Sequence, residues 1–380
     1  MPFKKFKIRD YDFKLIIMVA LIAVIGVFAV GSAEPSLFRK QMYGAIAGFI
    51  IMIILSFIDY HFILKFYWIM YIVNLILLVL VLFAGESSNN AQRWLKIGSI
   101  KFQPSELAKI LLILFFAQFI MILGEKFNTF PAIMLCTVLM GVPIVLVLRQ
   151  PDLSTTIIMT IIFAAVMFAG KLKFRIIVGI LAVIIPAAAI FVSIALRPDS
   201  GLLKDYQMER LYAFQDPESY PEIVYQQENS VTAIASGMLD GKGYRNNEIT
   251  SVKNGNFLDE DQTDFIFAII GEEFGFKGSL VVILLLIFIA LECVSAGRMA
   301  PDCPGTVIGC GMGALIGFQS FINIGVATFI LPNTGLPLPF VSYGLTSLLT
   351  LFFGMGIVLN VRTQAKRGTS ADEYINFANI

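Results

Sequence analysis

Residues 14–33 read KLIIMVALIAVIGVFAVGSA, and no charged residue follows Lys14 within this run. A helix needs about 20 apolar residues to cross a hydrocarbon core of roughly 30 Å. Nine further runs of this kind follow along the chain. We therefore predict ten transmembrane helices, at approximately 14–33, 38–57, 64–84, 105–123, 129–148, 153–170, 174–196, 270–296, 305–330 and 339–361.

The composition of the whole chain agrees with this prediction. Of 380 residues, 57% are apolar and only 14% are charged, and the mean hydropathy is +0.81. A soluble domain carries about 25% charged residues, so most of this surface faces something other than water. The net charge of +1 gives no field for nucleic acid, and no nucleic-acid partner is expected. We predict an all-α integral membrane protein, with residues 1–380 forming one polytopic domain.

The cysteines and the histidine exclude some site chemistries. The four cysteines lie in or beside apolar runs and show neither metal nor disulfide spacing. The only histidine, His61, lies in a short loop. We therefore expect neither a zinc site nor a serine–histidine–aspartate triad.

The distribution of Lys and Arg predicts the orientation. With the N-terminus inside, the short inner segments hold fourteen of these residues and the short outer loops hold six. An excess of basic residues marks the cytoplasmic side. We therefore predict a multi-pass protein of the cell membrane with both termini in the cytoplasm. The long polar segment 197–262 is then a large extracytoplasmic loop between the seventh and eighth spans.

Five segments differ from plain apolar helix and from plain loop. On the predicted topology each of them lies at the outer end of a span, and the cytoplasmic loops hold nothing comparable. This distribution predicts a functional site on the outer face, built from residues 91–109, 149–153, 201–262, 262–273 and 332–344.

Two aspartates in these segments are candidates for chemistry. Helical projection places Asp264, Ala268, Gly271 and Gly275 on one face. The small residues below the carboxylate either allow close helix packing or leave room for a ligand. Asp152 precedes an apolar run, so it is either a helix cap or a carboxylate free to bind a cation or a substrate group.

Charged residues near the span ends also have two interpretations. Glu106 and Lys109 are i,i+3 neighbours that form either a local ion pair or a charged pair lining a cavity. At least one of Glu272 and Glu273 needs a partner, because a lone charge near hydrocarbon is costly.

The long segment 197–262 offers further candidates. Arg210 and Lys242 could meet a phosphate group, although solvated charge is their ordinary role. Residues 222–236 have spaced apolar side chains, which predicts an amphipathic helix lying on the membrane.

With these motifs in place, nearly the whole chain resembles the SEDS family (shape, elongation, division and sporulation). Within that family it looks more like the RodA branch than the FtsW branch. The resemblance is carried by five motifs in order: AQRWLKIGSIKFQPSELAK (91–109), RQPDLST (149–155), RLYAFQDPE (210–218), TDFIFAIIGEEFG (263–275) and TGLPLPFVSYG (334–344).

The resemblance implies a fold, an activity and a partner. Members of the family are peptidoglycan glycosyltransferases with ten transmembrane helices. They polymerise the membrane lipid called lipid II outside the cell, with a class B penicillin-binding protein as transpeptidase partner. The family's functional residues match Asp264, Asp152, Glu106, Lys109, Arg93 and Trp94 in this sequence.

The implied reaction needs a carboxylate base at headgroup height and positive charge for a pyrophosphate leaving group. We predict Asp264 as the base or as a metal ligand, and Asp152 as a ligand of a Mg²⁺ or Mn²⁺ ion. The two roles are exchangeable, because a sequence gives no distances. The predicted substrate-binding residues are Arg93, Trp94, Glu106, Lys109, Arg210 and Lys242.

The sequence departs from the family pattern in places. Asp259 replaces a proline, Ser154 and Leu345 each replace a glycine, and Asn229 stands in a glutamine position. None of these changes removes a carboxylate. Two alternatives therefore stay open: a lipid II flippase or other transporter, and a non-catalytic scaffold for the transpeptidase. Transport predicts ionisable residues deep in the spans and on both faces, whereas here they gather on one.

Overall fold

The computed structural model describes residues 11–88, 91–97, 100–176, 178–179, 182, 205–245, 258 and 261–365. In this part of the chain the backbone is mainly helical. Its α-helices are α1 Phe13–Ala33, α2 Phe38–Ser56, α3 Tyr60–Leu64, α4 Tyr67–Ala84, α5 Pro104–Leu123, α6 Phe130–Arg149, α7 Leu153–Ala169, α8 Asp205–Gln215, α9 Pro221–Ser236, α10 Ile266–Met299, α11 Cys303–Ala327 and α12 Leu345–Ala365.

These helices confirm the predicted class of an all-α membrane protein. Among the described residues, eight helices are long and apolar enough to span a membrane, and α7 is a shorter apolar helix. Nine of the ten predicted spans coincide with these helices. The predicted span 174–196 lies largely outside the described residues.

The start of the last span was predicted too early. Residues 339–344 are not helical, and α12 begins only at Leu345. Prolines at 337 and 339 remove backbone donors that a helix would need. The Ser342 hydroxyl instead accepts the N–H of Leu338 at 2.7 Å. Residues 332–344 therefore form an irregular connection before α12, which we call the 332–344 segment.

The core lies where α5, α11 and α12 meet α10. Helices α5, α11 and α12 are buried along most of their length, whereas α2, α4 and α6 expose Ile, Leu and Val on one side. Glycines allow α10 and α11 to approach closely: a Cβ on Gly309 would lie 2.4 Å from the backbone N of Gly297. A rigid central group of helices results, and α7 and α10 begin at the same end of it, the site end.

A small sheet, not expected from the sequence, connects α4 to α5. Strands β1 (Glu86–Ser88), β2 (Ala91–Ile97) and β3 (Ile100–Phe102) are antiparallel in the order β1-β2-β3. Leu95 pairs with Phe102, and Trp94 pairs with Glu86. The sheet holds the first predicted motif at the site end.

Helix α10 is broken at Gly275, whose backbone has φ 62° and ψ −160°. A break leaves N–H and C=O groups without intrahelical partners. The segment 237–245, which follows α9, supplies those partners. Four backbone hydrogen bonds join the two segments: Lys242 N to Glu272 O (2.9 Å), Gly243 N to Glu273 O (3.0 Å), Phe276 N to Met238 O (2.8 Å) and Lys277 N to Leu239 O (3.2 Å).

Helix α9 is the predicted amphipathic helix, but its buried face packs against protein rather than membrane. Val224, Gln227, Ser230 and Ala233 form that face. Gln227 donates to the carbonyls of residues 326 and 331 at 3.0 and 2.9 Å, and Ser230 donates to the carbonyl of Ala327 at 2.7 Å. The last carbonyls of a helix lack intrahelical partners, and α9 donates to two of those in α11. The described part of 197–262 is therefore a docked helical layer.

Candidate active site

Asp264 lies in a turn that precedes α10, not on the helix itself. The helix begins at Ile266 and breaks at Gly275, so the predicted face from Asp264 through Ala268 to Gly275 does not exist as one helix face. The physical reason is local. The N–H of Ala268 bonds to the carbonyl of Phe265, and the carbonyl of Asp264 accepts a side-chain amide from another helix.

That amide belongs to Asn323 of α11, which is only 1% exposed. Its Nδ2 donates to the carbonyl of Asp264 at 2.9 Å and to the carbonyl of Leu336 at 2.6 Å. One buried side chain thus joins the Asp264 turn to the 332–344 segment. The backbone that carries the carboxylate is fixed from both sides.

Gly335 brings the 332–344 segment against the carboxylate itself. A Cβ placed on Gly335 would lie 3.1 Å from Oδ2 of Asp264, and the residue has φ +68°. Only glycine adopts this conformation readily and allows this approach. Asp264 is half-buried, with backbone of Gly335 on one side.

Ser342 and Tyr343 complete the attachment of the 332–344 segment. The Ser342 hydroxyl donates to the carbonyl of Thr263 at 2.5 Å. The N–H of Tyr343 donates to the carbonyl of Gln262 at 2.8 Å. The turn 261–265 is therefore bound at three successive carbonyls, which positions Asp264 with little freedom.

Asp152 is buried, with 3% exposure, and caps α7. Its Oδ1 accepts the N–H of Thr155 at 3.1 Å, and its Oδ2 accepts the Thr155 hydroxyl at 2.8 Å. The neighbouring Ser154 hydroxyl donates to the carbonyl of Thr334. The start of α7 therefore reaches the same 332–344 segment as Asp264, and Asp152 has the capping role that the sequence left open.

Arg93 on β2 binds the backbone that precedes Asp152. Its Nε donates to the carbonyl of Gln150 at 3.4 Å, and Nη2 donates to the carbonyl of Pro151. Arg93 and the adjacent Trp94 are both half-buried. The Arg-Trp motif and the Gln-Pro-Asp motif are thus assembled into one unit at the site end.

Glu106 and Lys109 form the predicted ion pair, at 2.7 Å, with 4% and 1% of the side chains exposed. Lys109 also donates to Oε1 of Gln319 at 2.8 Å. The other end of that amide, Nε2, donates to the carbonyl of Pro337 at 2.9 Å. The pair lies behind the 332–344 segment and supports it, because a buried charge keeps its place only with partners.

Lys242 and the two glutamates form a separate cluster at the break in α10. Lys242 pairs with Glu272 at 2.8 Å. Glu273 accepts the hydroxyl of Ser32 and the N–H of Arg245, the latter at 3.1 Å. Both glutamates therefore have the partners that their burial requires. Glu272 lies six residues into α10, about 9 Å along the axis from its start, so Lys242 is not beside Asp264.

The two remaining predictions concern Arg210 and the metal. The side chain of Arg210, on α8, lies outside the described residues. Within the described ranges, no group of three or more His, Cys, Asp or Glu side chains is arranged to hold a metal ion. Asp264 and Asp152 remain the two predicted metal ligands, and the ion itself stays a prediction.

The assembled motifs agree with a known family. The family model FTSW_RODA_SPOVE, described as "Cell cycle protein", matches residues 11–367. The chain belongs to this family. The resemblance to SEDS proteins is therefore confirmed.

Relatives of this FtsW/RodA/SpoVE protein agree along its length. It is 34% identical, over 93% of both chains, to the peptidoglycan glycosyltransferase MrdB of Escherichia coli K12. It resembles a solved chain of a peptidoglycan synthase complex that coordinates polymerization and crosslinking, with a TM-score of 0.76, 28% identity and coverage of 93% and 98%. It also resembles the rod shape determining protein RodA of Thermus thermophilus, with a TM-score of 0.67, 25% identity and coverage of 93% and 96%.

Sequence reasoning missed two side chains that build this family member's site. Gln319 and Asn323 lie one turn apart on α11 and both bind the 332–344 segment. The signal was present, since two amides at i and i+4 in an otherwise apolar span are unusual and face protein rather than lipid. Gly335 was also missed as a contact of Asp264, because the approach depends on backbone geometry.

Proposed function

We infer that the chain is a peptidoglycan glycosyltransferase. The single observation that carries this inference is the Asp264 carboxylate, held by its backbone and touched by Gly335 at one end of a membrane bundle. Relatives covering 93% of the chain bear the name peptidoglycan glycosyltransferase. A fixed, half-buried carboxylate at one end of a membrane bundle suits a general base for sugar transfer.

We propose lipid II as the substrate. The reaction moves a sugar from a membrane-bound pyrophosphate carrier to a sugar hydroxyl of a second molecule. The C–O bond to the pyrophosphate breaks, a glycosidic C–O bond forms, and the acceptor hydroxyl gives up its proton. The predicted orientation, with both termini in the cytoplasm, places the site end on the outer face where such lipids would present their sugars.

We propose Asp264 rather than Asp152 as the base that takes this proton. Asp152 is 3% exposed, and both of its carboxylate oxygens already accept hydrogen bonds from Thr155. Asp264 is half-buried, and its backbone carbonyl accepts the Asn323 amide that fixes its position. Asp152 then orders the start of α7 and the 332–344 segment around the base.

Few protein ligands are available for the proposed Mg²⁺ or Mn²⁺ ion. A cage made only of protein ligands is not supported among the described residues, which hold no cluster of three candidate ligands. Mg²⁺ commonly uses one or two carboxylates together with substrate phosphates. Asp264, with Asp152 as a second donor, would hold such an ion. When bound, it would neutralise charge on the pyrophosphate.

We propose a class B penicillin-binding protein as partner and cell elongation or shape as the role. Similarity to a chain of a peptidoglycan synthase complex that coordinates polymerization with crosslinking supports the partner. Similarity to a rod shape determining protein supports the role.

A transporter remains the rival function. Transport would require ionisable groups through the middle of the spans. Helices α4, α7 and α11 carry no Asp, Glu, Lys or Arg, and the charges of the other described spans cluster toward their ends. The middle of these spans therefore lacks the charges that passage through the bundle would need.

The decisive experiment joins polymerisation and flipping assays. Purified full-length protein in liposomes, supplied with lipid II and Mg²⁺, should form glycan strands visible on a gel. Asp264→Asn should lower the rate by at least about 100-fold, the contribution typical of a general base, without lowering the melting temperature. Glu125→Gln, which removes an exposed carboxylate outside the five motifs, is the control and should keep its activity. Full activity of Asp264→Asn, or flipping without strand formation, would contradict the proposal.

A further inference from the structure

A groove of about 520 Å³ lies between α1 and α10, away from Asp264. Val24 and Phe28 of α1 form one wall, and Phe274 and Val281 of α10 form the other. Tyr244, from the segment 237–245, also lines it. Val24 and Phe28 are 52% and 46% exposed, so the groove opens sideways toward lipid. Its volume falls in the range of roughly 300–1,000 Å³ that is usual for ligand sites.

A guanidinium group, that of Arg245, lies beside Tyr244, which lines this groove. Cζ of Arg245 is 5.4 Å from the ring centre of Tyr244 and 6.0 Å from that of Phe38. Phe28 contacts both rings, at 5.9 and 6.2 Å. Nη2 of Arg245 donates to the carbonyl of Gly31 at 3.0 Å. Stacking and this hydrogen bond hold the charge against Tyr244, next to the apolar walls.

The charge of Arg245 is not neutralised within the described part of the chain. No carboxylate among those residues lies within 4.0 Å of its guanidinium; its contact to Glu273 is made by the backbone N–H. Two more cations, Arg39 and Lys40, follow Phe38 and are exposed. Lys277 on the opposite rim is paired with Asp240 at 2.5 Å. Glu273 and the exposed Glu34 are the carboxylates that oppose these three cations, so the described charges around Tyr244 are net positive by one.

We propose that this groove binds an acidic phospholipid, with one acyl chain between α1 and α10 and the phosphate at Arg245. An apolar groove beside the bilayer takes hydrocarbon, and a planar guanidinium binds phosphate through two parallel hydrogen bonds. Basic pockets between transmembrane helices are known to select acidic headgroups. On the orientation proposed above, the lipid comes from the outer leaflet.

The position of the lipid connects it to the rest of the molecule. The backbone N–H of Arg245 binds Glu273, and the neighbouring Gly243 N–H binds the carbonyl of the same glutamate. A lipid at Arg245 would therefore brace the segment 237–245 against the break in α10. This binding inference does not depend on the catalytic role of Asp264.

The headgroup arm of the test measures lipid binding to the purified full-length protein by native mass spectrometry. Dioleoyl phosphatidylglycerol should bind more tightly than dioleoyl phosphatidylcholine. Arg245→Gln should weaken phosphatidylglycerol binding about tenfold, the loss expected for a charge-assisted contact, and leave phosphatidylcholine binding unchanged. Arg149→Gln, which removes an exposed charge at the end of α6, is the control. It should change the binding of neither lipid.

The groove arm fills the acyl-chain space. Val24→Phe should displace the tightly bound lipid, whereas Val145→Phe, on α6 with the same 52% exposure, should not. Melting temperatures check the fold, and Arg245→Lys keeps the charge if Arg245→Gln unfolds. Equal affinity for the two lipids would overturn the proposal, as would equal losses in Arg245→Gln and Arg149→Gln. A Val24→Phe variant that binds lipid normally would also overturn it. If that variant instead failed to bind the transmembrane helix of a partner protein, the groove would be a protein contact.

Discussion

The backbone carbonyl of Asp264 accepts the amide of Asn323, and the carbonyls of its two predecessors are bound by residues of the 332–344 segment. Three bound carbonyls in a row prevent the turn from continuing α10 backward. At the scale of single residues, the position of the carboxylate is therefore decided by groups on other elements. The side chain projects from a fixed turn, which is the arrangement that a catalytic base requires.

Gly335→Ala tests how closely the site depends on this fit. The added Cβ would lie 3.1 Å from Oδ2 of Asp264, and the residue has φ +68°. A displacement of about 1 Å at a reacting group costs up to about 100-fold in rate, so polymerisation should fall at least tenfold. Gly344→Ala is the control, because its nearest neighbour would be Ser347 Cβ at 3.7 Å. Equal activities in the strand-formation assay would contradict the assigned contact.

The sequence predicted which residues matter better than it predicted their partners. Glu106 and Lys109 were recognised as a pair because they are i,i+3 neighbours. The contact from Lys109 to Gln319 joins residues 210 positions apart, which no local pattern reveals. Arg93 was predicted to bind substrate, and in the structure its side chain donates to the carbonyls of Gln150 and Pro151. The sequence could not predict this contact, because backbone acceptors have no sequence signature.

At the scale of elements, the break in α10 shows what a continuous apolar pattern hides. Residues 262–296 predict one helix, and the glycine at 275 alone does not predict a break. The break is stable because the segment 237–245 supplies four backbone hydrogen bonds to it. Neither partner would adopt its conformation alone, so this feature could be found only in the folded molecule.

Gly241→Ala and Gly243→Ala separate close contact from backbone strain. Both residues have positive φ, +81° and +98°, so each alanine costs about 1–2 kcal/mol in conformation. A Cβ on Gly241 would also lie 2.2 Å from the carbonyl oxygen of Glu273, whereas nothing lies within 4 Å of one on Gly243. Gly241→Ala should therefore lower the melting temperature clearly more. Equal shifts in thermal unfolding would show that the segment does not press on α10.

At the scale of the whole molecule, the spans were predictable because lipid leaves a chain few choices. Backbone groups inside hydrocarbon must be paired within the segment, so long apolar runs become helices. The errors occur where protein replaces lipid as the surroundings. The 332–344 segment and the small sheet β1–β3 are irregular or extended at the site end, where side chains and strands supply the hydrogen bonds.

The opposite end of the bundle is joined through the only histidine. Nδ1 of His61 lies 2.8 Å from Oδ1 of Asp59, and Nε2 lies 2.5 Å from Oδ2 of Asp302. Asp59 also accepts the amide of Gln364 at 2.9 Å, and Asp302 accepts the hydroxyl of Tyr60 at 2.8 Å. These contacts connect α3, the turn before α11 and the end of α12, so His61 is a structural residue of that end.

The charge of His61 makes the stability of the whole bundle depend on pH. Burial lowers the pKa of His61, but hydrogen bonds and charge from Asp302 and Asp59 outweigh it, and the pKa lies above its ordinary value of roughly 6.5. Protonated His61 therefore stabilises the folded state fully below that ordinary value, and the stabilisation is lost as pH rises through the raised pKa. The melting temperature of the wild-type protein in detergent should fall over that window. His61→Gln keeps a donor without a titrating charge and should melt with a smaller pH dependence there. Parallel melting curves for the two proteins would contradict this role, since the remaining titrating groups are common to both.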